Sequence, residues 1–448
     1  MNNYSVTVIG LGYVGITMSV FLANKGVNVI GIDIDHDKVK HLSAGISPIY
    51  EKNIEKYLVK ALNDKKLSFT TDYNAVLKTN ISFITVGTPS NPDGSININY
   101  VKNTTKSIGE LLKEKKDYHL IVTRSTVIPG TNHNVIKPIL EKNSGKRIGK
   151  DFGLCMNPEF LKEGNAMKDL EKPSRIVIGE FDKISGDLLE KFYRQVYRGL
   201  KIPIIRTYLS TAELIKYANN AFLATKISFI NMISRICDKL TDCDINTIAY
   251  AIGLDPRISP LFLRAGLGYG GSCLPKDVKA LISFLNMNNL DSSLLYAVNR
   301  INNTQPLNVI KICEQALQTL KNKKISILGL AFKPDTDDIR NSPSLKIIDE
   351  LIHREAHVTL YDPKAVDKVK KIFAEKISYS YSVHQCINQA DCVIIATEWD
   401  EFKKLTPQDF LKSMKKPIII DGRGIYNHKE FREKGIVYKR IGLGPYKI

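Results

Sequence analysis

Cys273 stands in the run GYGGSCLPKD, residues 268–277, behind Gly268, Gly270 and Gly271 and just ahead of Lys276 and Asp277. A thiol in a loop stripped of side chains can reach a substrate carbon and bond to it, and a nearby cation favours the nucleophilic thiolate. Lys276 itself reads as structural, since adjacent charges in a loop point in different directions. Glycines also mark turns, and most cysteines are small buried hydrophobes, so the run by itself leaves both readings open. Three other places carry chemistry. NPEFLKEGNA, 157–166, holds Glu159 and Glu163 four residues apart. They share a face if the segment is helical, and paired carboxylates can divide acid and base roles or form a solvated acidic face. Lys216 and Asn220 have the same spacing among apolar neighbours. Converging on one point they suit a developing oxyanion; on an exposed face they are ordinary polar residues. Ser125 and Thr126 in RSTVIPGT follow a strand pattern, where open α/β sheets bind ligands.

The elements that must hold these residues fall into three stretches. Residues 1–200 alternate strand candidates (SVTVIG, VNVIGID, ISFITVG, HLIVT, FGLCMNP) with helical patterns, the mark of βαβ units around a parallel sheet. Residues 201–305 read as helical. A long helix starts near Ser210, whose spacing to Glu213 fits a capping box. Leu214, Ala218, Ala221, Phe222 and Thr225 then recur at helical spacing, past Ile233. Residues 306–448 return to alternation with KKISILGLAF, HVTLYDP, CVIIATE and PIIIDGR. The expected fold is α/β, with two Rossmann-like doubly wound domains joined by a central helical domain.

The first βαβ unit carries a dinucleotide fingerprint. GLGYVG, 10–15, follows a strand and opens a helix. Gly10 permits the tight turn, Gly12 admits the pyrophosphate, and Gly15 lets helix and strand pack. The helix N-terminus supplies N–H donors to phosphate. VNVIGID ends at Asp33, eighteen residues past Gly15, where an acid binds the ribose and prefers NAD to NADP. Lys38 is a nearby cation that softens this preference. Asp35 and Asp37 read as a solvated helix start.

Composition narrows the class. The chain has 448 residues, enough for two or three domains, and a net charge of +18. Its lysines are dispersed, with no basic tract interleaved with aromatics, so a solvated surface is expected rather than a nucleic-acid face. No apolar run is long enough for a bilayer, and MNNYSVTVIG lacks the parts of a signal peptide. A cytoplasmic protein with no membrane partner is expected. The seven cysteines form no CxxC and no zinc spacing, and they are poor material for disulfides. No metal is expected.

In order, GLGYVG, VGTPS, RSTVIPGT, NPEFLKEG, ELIKYANNAF, GYGGSCLPKD, GLAFKPDTDDIR and DGR span nearly the whole chain. Together they resemble the UDP-glucose/GDP-mannose dehydrogenase family. That resemblance implies oxidation of a sugar C6 alcohol to a carboxylate with two NAD. Cys273 is then the nucleophile, capturing the aldehyde as a thiohemiacetal that becomes a thioester. Lys216 and Asn220 steady the oxyanion, and Thr126, Glu159 and Asp277 position water or move protons. The implied cofactor contacts are Gly10, Gly12, Tyr13, Val14, Gly15, Asp33, Lys38, Thr88, Thr126, Glu163 and Arg340. The implied contacts to a UDP-sugar are Phe160, Leu161, Lys216, Asn220, Phe262, Leu263, Gly271, Lys333 and Arg423, with Arg257 reaching across a homodimer or higher homo-oligomer. The NPEFL and CLPKD forms resemble the members acting on UDP-glucose, ahead of those acting on GDP-mannose and UDP-N-acetylmannosamine. Departures from the family pattern include Arg124, Met232 and Asn341, and none touches Cys273, Lys216, Asn220 or Asp277. A binding protein that kept the cofactor fold without catalysis is the alternative of a different class, and the full catalytic set argues against it.

Overall fold

Short runs of aliphatic and β-branched residues form the strands of the computed structural model, which describes residues 4–445. The chain divides into two units, Met1–Asn219 and Asn220–Ile448, and the division falls within a long helix.

The first unit holds β1 (Ser5–Ile9), β2 (Asn28–Ile32), β3 (Leu67–Thr70), β4 (Ile81–Ile84), β5 (His119–Thr123), β6 (Phe152–Met156), β7 (Ile176–Glu180) and β8 (Ile204–Tyr208). Their order in the sheet is β3-β2-β1-β4-β5-β6-β7-β8. All residues of β4, β5 and β6 are buried, as continuous apolar runs require when helices cover both faces. The chain reverses direction across the sheet between β1 and β4, so the carboxyl ends of these two strands border a ligand crevice. The fully parallel sheet expected from the strand runs needs one correction. β6 and β7 pair antiparallel, Cys155 with Glu180 and Met156 with Gly179. β3 and β8 escaped the sequence reading because both are partly exposed and mix polar with apolar residues. β7 has a run of only three aliphatic residues, too short to separate from a helix by period.

The second unit holds β9 (Lys324–Leu328), β10 (His357–Tyr361), β11 (Ser378–Tyr379), β12 (Cys392–Ile395), β13 (Ile418–Asp421) and β14 (Val437–Arg440), all parallel, in the order β11-β10-β9-β12-β13-β14. β11 and β14 are edges, the first two residues long and the second alternating exposed and buried, and neither was a strand candidate. The two sheets share a turn. β1 ends in Gly10 (φ +97), and the next amide, Leu11 N–H, donates to Asp33 Oδ2 at 2.7 Å. β9 ends in Gly329 (φ +104), and Leu330 N–H donates to Asp362 Oδ2 at 2.7 Å. In each case the first glycine takes a backbone conformation closed to most residues, which turns the next amide onto an acid after the neighbouring strand.

The long helix, Leu209–Cys237, has 29 residues and spans about 43 Å. Two expectations about it change. Ser210 lies inside the helix rather than at its cap. The Glu213 carboxylate accepts from Gly130 N–H at 2.5 Å and from Asn132 N–H and Nδ2 at 2.8 Å. Glu213 is thus a buried brace for the turn after β5 and not half of a capping box. Burial also splits the recurring set, since Ala221 is buried beside Tyr217 and Ala224. Leu214, Phe222, Phe229, Met232 and Ile236 are exposed, Phe222 by 65%, while Glu213, Lys216, Asn220 and Asn231 are buried. Glu213, Lys216 and Asn220 find partners there, and an apolar stripe stays open along the helix.

Candidate active site

The crevice beside β1 and β4 is built by the fingerprint. The helix Tyr13–Asn24 starts straight after the turn. A Cβ on Gly15 would lie 2.0 Å from the Gly10 carbonyl oxygen, so only glycine allows this approach, whereas a Cβ on Gly12 meets nothing within 4 Å. The open side of Gly12 faces a cavity of about 540 Å³ whose lining includes Gly10, Asp33, Lys38, Val86 and Tyr100. Buried Asp33 accepts from Leu11 and Lys38 at Oδ2, the latter at 2.9 Å, and from Asp35 N–H at Oδ1. Each carboxylate oxygen takes two donors, so Oδ1 keeps room for a ribose hydroxyl and the cavity fits a dinucleotide. Asp35 caps the helix His36–Ser43 by accepting from Lys38 N–H, as its place at a helix start implied. Val14 is half-buried in the first turn. Thr88 Oγ1 donates to the Thr126 carbonyl at 2.9 Å, tying the ends of β4 and β5 together. Tyr13 turns elsewhere. Its hydroxyl donates to buried Glu51 and accepts from Gly164 N–H at 2.7 Å, beside Glu163. Burial, then the Glu51 carboxylate, push this phenol far above its usual range.

The segment after β6 is extended and turned, not helical, so Glu159 and Glu163 do not share a helix face. Pro158 and Gly164 break the period. Glu159 goes inward to Lys216, which is 3% exposed. Lys216 Nζ donates to Glu159 Oε1 and to its carbonyl, both at 2.7 Å, and Leu161 N–H donates to Oε2 at 2.6 Å. Burial alone would raise the Glu159 carboxyl. The Lys216 ammonium and these hydrogen bonds outweigh it and hold the group below the usual range. The ring of Phe160 lies under Lys216 Nζ, 5.7 Å from the centroid.

In the second unit Cys273 is the N-cap residue of the helix Leu274–Met287, with Pro275 in its first turn. Asp277 follows one turn later, 1% exposed. Its Oδ1 accepts from Lys276 Nζ at 2.7 Å and its Oδ2 from Asn220 Nδ2 at 2.6 Å. Lys276 therefore serves Asp277, the structural role read for it. The glycine loop is clamped from both ends. Tyr269 N–H donates to Asn302 Oδ1 at 2.8 Å, Gly271 N–H donates to the Arg340 carbonyl at 2.7 Å, and Asn341 Nδ2 donates to Gly271 O at 3.1 Å. Gly271 has φ +81, and a Cβ there would meet the Phe332 ring at 2.8 Å.

The remaining residues sit around this loop's unit. Lys333 lies over the Phe332 ring, 5.4 Å from its centroid. Arg423 follows β13 and donates from Nε to the Ala396 carbonyl at 2.7 Å. Leu263 is buried, and Phe262 is part-exposed with φ +65. The side chain of Arg257 is 87% exposed and forks onto Asp255. The Arg340 guanidinium forks onto Asp338 in the same way. Sequence reasoning missed the braces, namely Glu51, Glu213, Asn302 and Phe332. Each acts on a backbone far along the chain, and no local spacing marks them. Asn341 carried a signal, an asparagine at a position of positive φ (+51).

A dinucleotide crevice at the switch point of a doubly wound sheet is the mark of a nicotinamide-dependent oxidoreductase. The UDP-glucose/GDP-mannose dehydrogenase family models match along the chain: the NAD binding domain over residues 4–197, the central domain over 210–304 and the UDP binding domain over 326–428. A UDP-glucose 6-dehydrogenase of Rickettsia bellii is 42% identical over 98% of this chain and 99% of its own length. One of Haloferax volcanii is 41% identical over 95% and 98%. The structure of a UDP-glucose dehydrogenase from Pyrobaculum islandicum superposes with a TM-score of 0.89 at 36% identity, covering 98% of both chains. The chain belongs to the UDP-glucose/GDP-mannose dehydrogenase family and is an NAD-dependent nucleotide-sugar 6-dehydrogenase. None of the helices is long and apolar enough to cross a membrane, among the described residues.

Proposed function

We propose that the enzyme oxidises the C6 alcohol of UDP-glucose to the carboxylate, giving UDP-glucuronate. The observation that carries the mechanism is Asp277, a buried carboxylate one helical turn from Cys273 and held by Lys276 and Asn220. NAD, when bound, accepts hydride from the sugar carbon in each of two oxidations. Cys273, at a helix N-terminus that favours the thiolate, adds to the aldehyde carbon and forms a C–S bond. Lys216 and Asn220 stand one turn apart on one helix and donate to the oxygen as charge develops there. Glu159 holds the Lys216 ammonium in place and, with Thr126, orders water. After the second oxidation Asp277 takes a proton from the attacking water, the C–S bond breaks, and the thiolate leaves. In this reading Gly10, Gly12, Val14, Gly15, Asp33, Lys38, Thr88, Thr126, Glu163 and Arg340 serve NAD, with Tyr13 contributing its backbone N–H at the helix start and not its side chain. Phe160, Leu161, Phe262, Leu263, Gly271, Lys333 and Arg423 serve the UDP-sugar. Functional boundaries fall at residues 1–200, 201–305 and 306–448.

The relatives named UDP-glucose 6-dehydrogenase support the choice of sugar. NADH formation with UDP-glucose, GDP-mannose and UDP-N-acetylmannosamine tests it directly, and faster turnover of either of the latter two overturns it. Location in the cytoplasm is checked by fractionation.

Asp33 is expected to enforce NAD over NADP. A 2′-phosphate meets a buried carboxylate, and like-charge contact costs several kcal/mol, so kcat/KM with NADP should fall at least about a hundredfold below NAD. Lys38→Ala should widen the gap, because the cation at 2.9 Å no longer offsets Asp33. Equal efficiency with the two cofactors would remove Asp33 from the ribose site.

The open apolar stripe of the long helix supports a homodimer, with Arg257 completing the partner's site. Neither an Arg257→Ala nor a Cys273→Ala homodimer should turn over. Hybrids of the two should regain one working site, because a subunit with Cys273 then receives Arg257 from its partner. Confirmed hybrids without activity would place Arg257 in its own subunit's site or give it a structural role.

A further inference from the structure

Behind the Glu159 segment lies a cavity of about 260 Å³ that shares no lining residue with the fingerprint cavity. Its wall carries Arg124, Lys172 and Arg175. Arg124 is 9% exposed. Its Nη1 donates to Asn157 Oδ1 and reaches the Tyr193 hydroxyl at 3.4 Å, and its Nε has no hydrogen-bond partner among the described residues. Arg175 stacks on the Phe160 ring, 4.0 Å from the centroid, and among the described residues donates only to the neutral Ser174 Oγ and Asn219 Oδ1. Lys172 is exposed at the rim.

The two carboxylates of the wall make their close ion pairs elsewhere, and Arg124 acts on Glu159 only as a charge beyond contact distance. Glu159 holds Lys216 and the Leu161 amide, and Asp169 holds Lys162 and Asn165. Among the described residues Arg124, Lys172 and Arg175 therefore form no ion pair around one cavity. A buried cation is ordinarily paired, because removing it from water is expensive without a counter-charge. Three cations and an arginine fork favour a dianion, and guanidinium geometry matches phosphate.

We propose that this cavity binds a small phosphate-bearing anion. Its volume is roughly nine times a water's share of the liquid. That admits phosphate with a small organic body, on a wall that shares Glu159, Phe160 and Leu161 with the proposed sugar site. Leu170, Tyr193 and Tyr197 offer that body an apolar wall.

Calorimetric titration of the full-length enzyme with inorganic phosphate, and separately with phenyl phosphate, tests the site. Saturating NAD and UDP keep the other phosphate-binding positions filled, and potassium chloride holds ionic strength constant. One saturable site is expected, weakened about tenfold by Lys172→Ala and again by Arg175→Gln, the scale of one charge-assisted hydrogen bond. Equal affinity for both probes identifies the free anion as the ligand, and tighter phenyl phosphate identifies an organic phosphomonoester. Heat that tracks ionic strength alone, binding abolished by NAD and UDP, or unchanged affinity in both variants would overturn the proposal.

Discussion

Cys273→Ala should keep the fold and bind NAD as the wild type does, yet lose sustained production of the sugar acid by at least about a thousandfold. Two hydrides leave one carbon, so the aldehyde between them must be held or it hydrates and diffuses away. Cys273 sits where a covalent hold is possible, at the start of the Leu274–Met287 helix and after a loop whose glycines pack too closely against Asn302, Asn341 and Phe332 to carry side chains. The wild type should release two NADH for each acid formed. Cys273→Ser should form an ester that hydrolyses slowly and appears as an added sugar-nucleotide mass on the intact protein. The readouts are NADH absorbance, product chromatography and mass spectrometry. Acid production by Cys273→Ala near the wild-type rate, still with two NADH per turnover, would make the cysteine a packing residue.

Lys216→Ala should destabilise the protein by about 3–5 kcal/mol, because it strands the buried Glu159 carboxylate without its counter-charge. Adding Glu159→Gln should recover most of that loss, since a neutral amide is far cheaper to bury than an unpaired charge. The pair also sets an acid limb. The Glu159 carboxyl is held below its ordinary value of 4.5 in the fold, so the unfolded chain binds its proton first as pH falls. The stabilisation is therefore complete above about pH 4.5 and fades as pH drops through the folded value. Urea unfolding across this range should show the fade in wild type and a shallower acid slope in Glu159→Gln. Loss of less than about 1 kcal/mol in Lys216→Ala would mean that water reaches the pair and that its burial is overstated.

The strand runs of the two sheets were legible because strands covered on both faces must be apolar throughout, as in HLIVT and CVII. Edge strands such as VYKR were not, because half of each faces water. The fingerprint was legible because its chemistry is local, a strand, a turn that needs glycine and a helix start within a dozen residues. The long helix was found by its period, but the period did not say which residues are buried. Of the recurring set Ala221 is buried and Leu214 and Phe222 are open, while Glu213, read as half of a capping box, is buried, and so is Lys216, whose direction the period left open.

The sequence alone determined what is decided within a few residues: the turn at Gly10, the Asp33 acid after β2, and a cysteine at the mouth of a glycine loop. It also determined the family, since eight ordered motifs fix that without any contact being known. Only the tertiary structure decided which charges meet. Glu159 pairs with Lys216 across 57 residues and not with Glu163 beside it, and Asp277 finds Asn220 across another 57. Tyr13 reaches Glu51 and the Gly164 amide instead of the cofactor crevice. The reason is energetic. A buried charge is costly unless a partner or a ligand is brought beside it. Hydrophobic period describes which side of an element can leave water, whereas the partner that makes a polar side worth burying is supplied by a distant part of the chain.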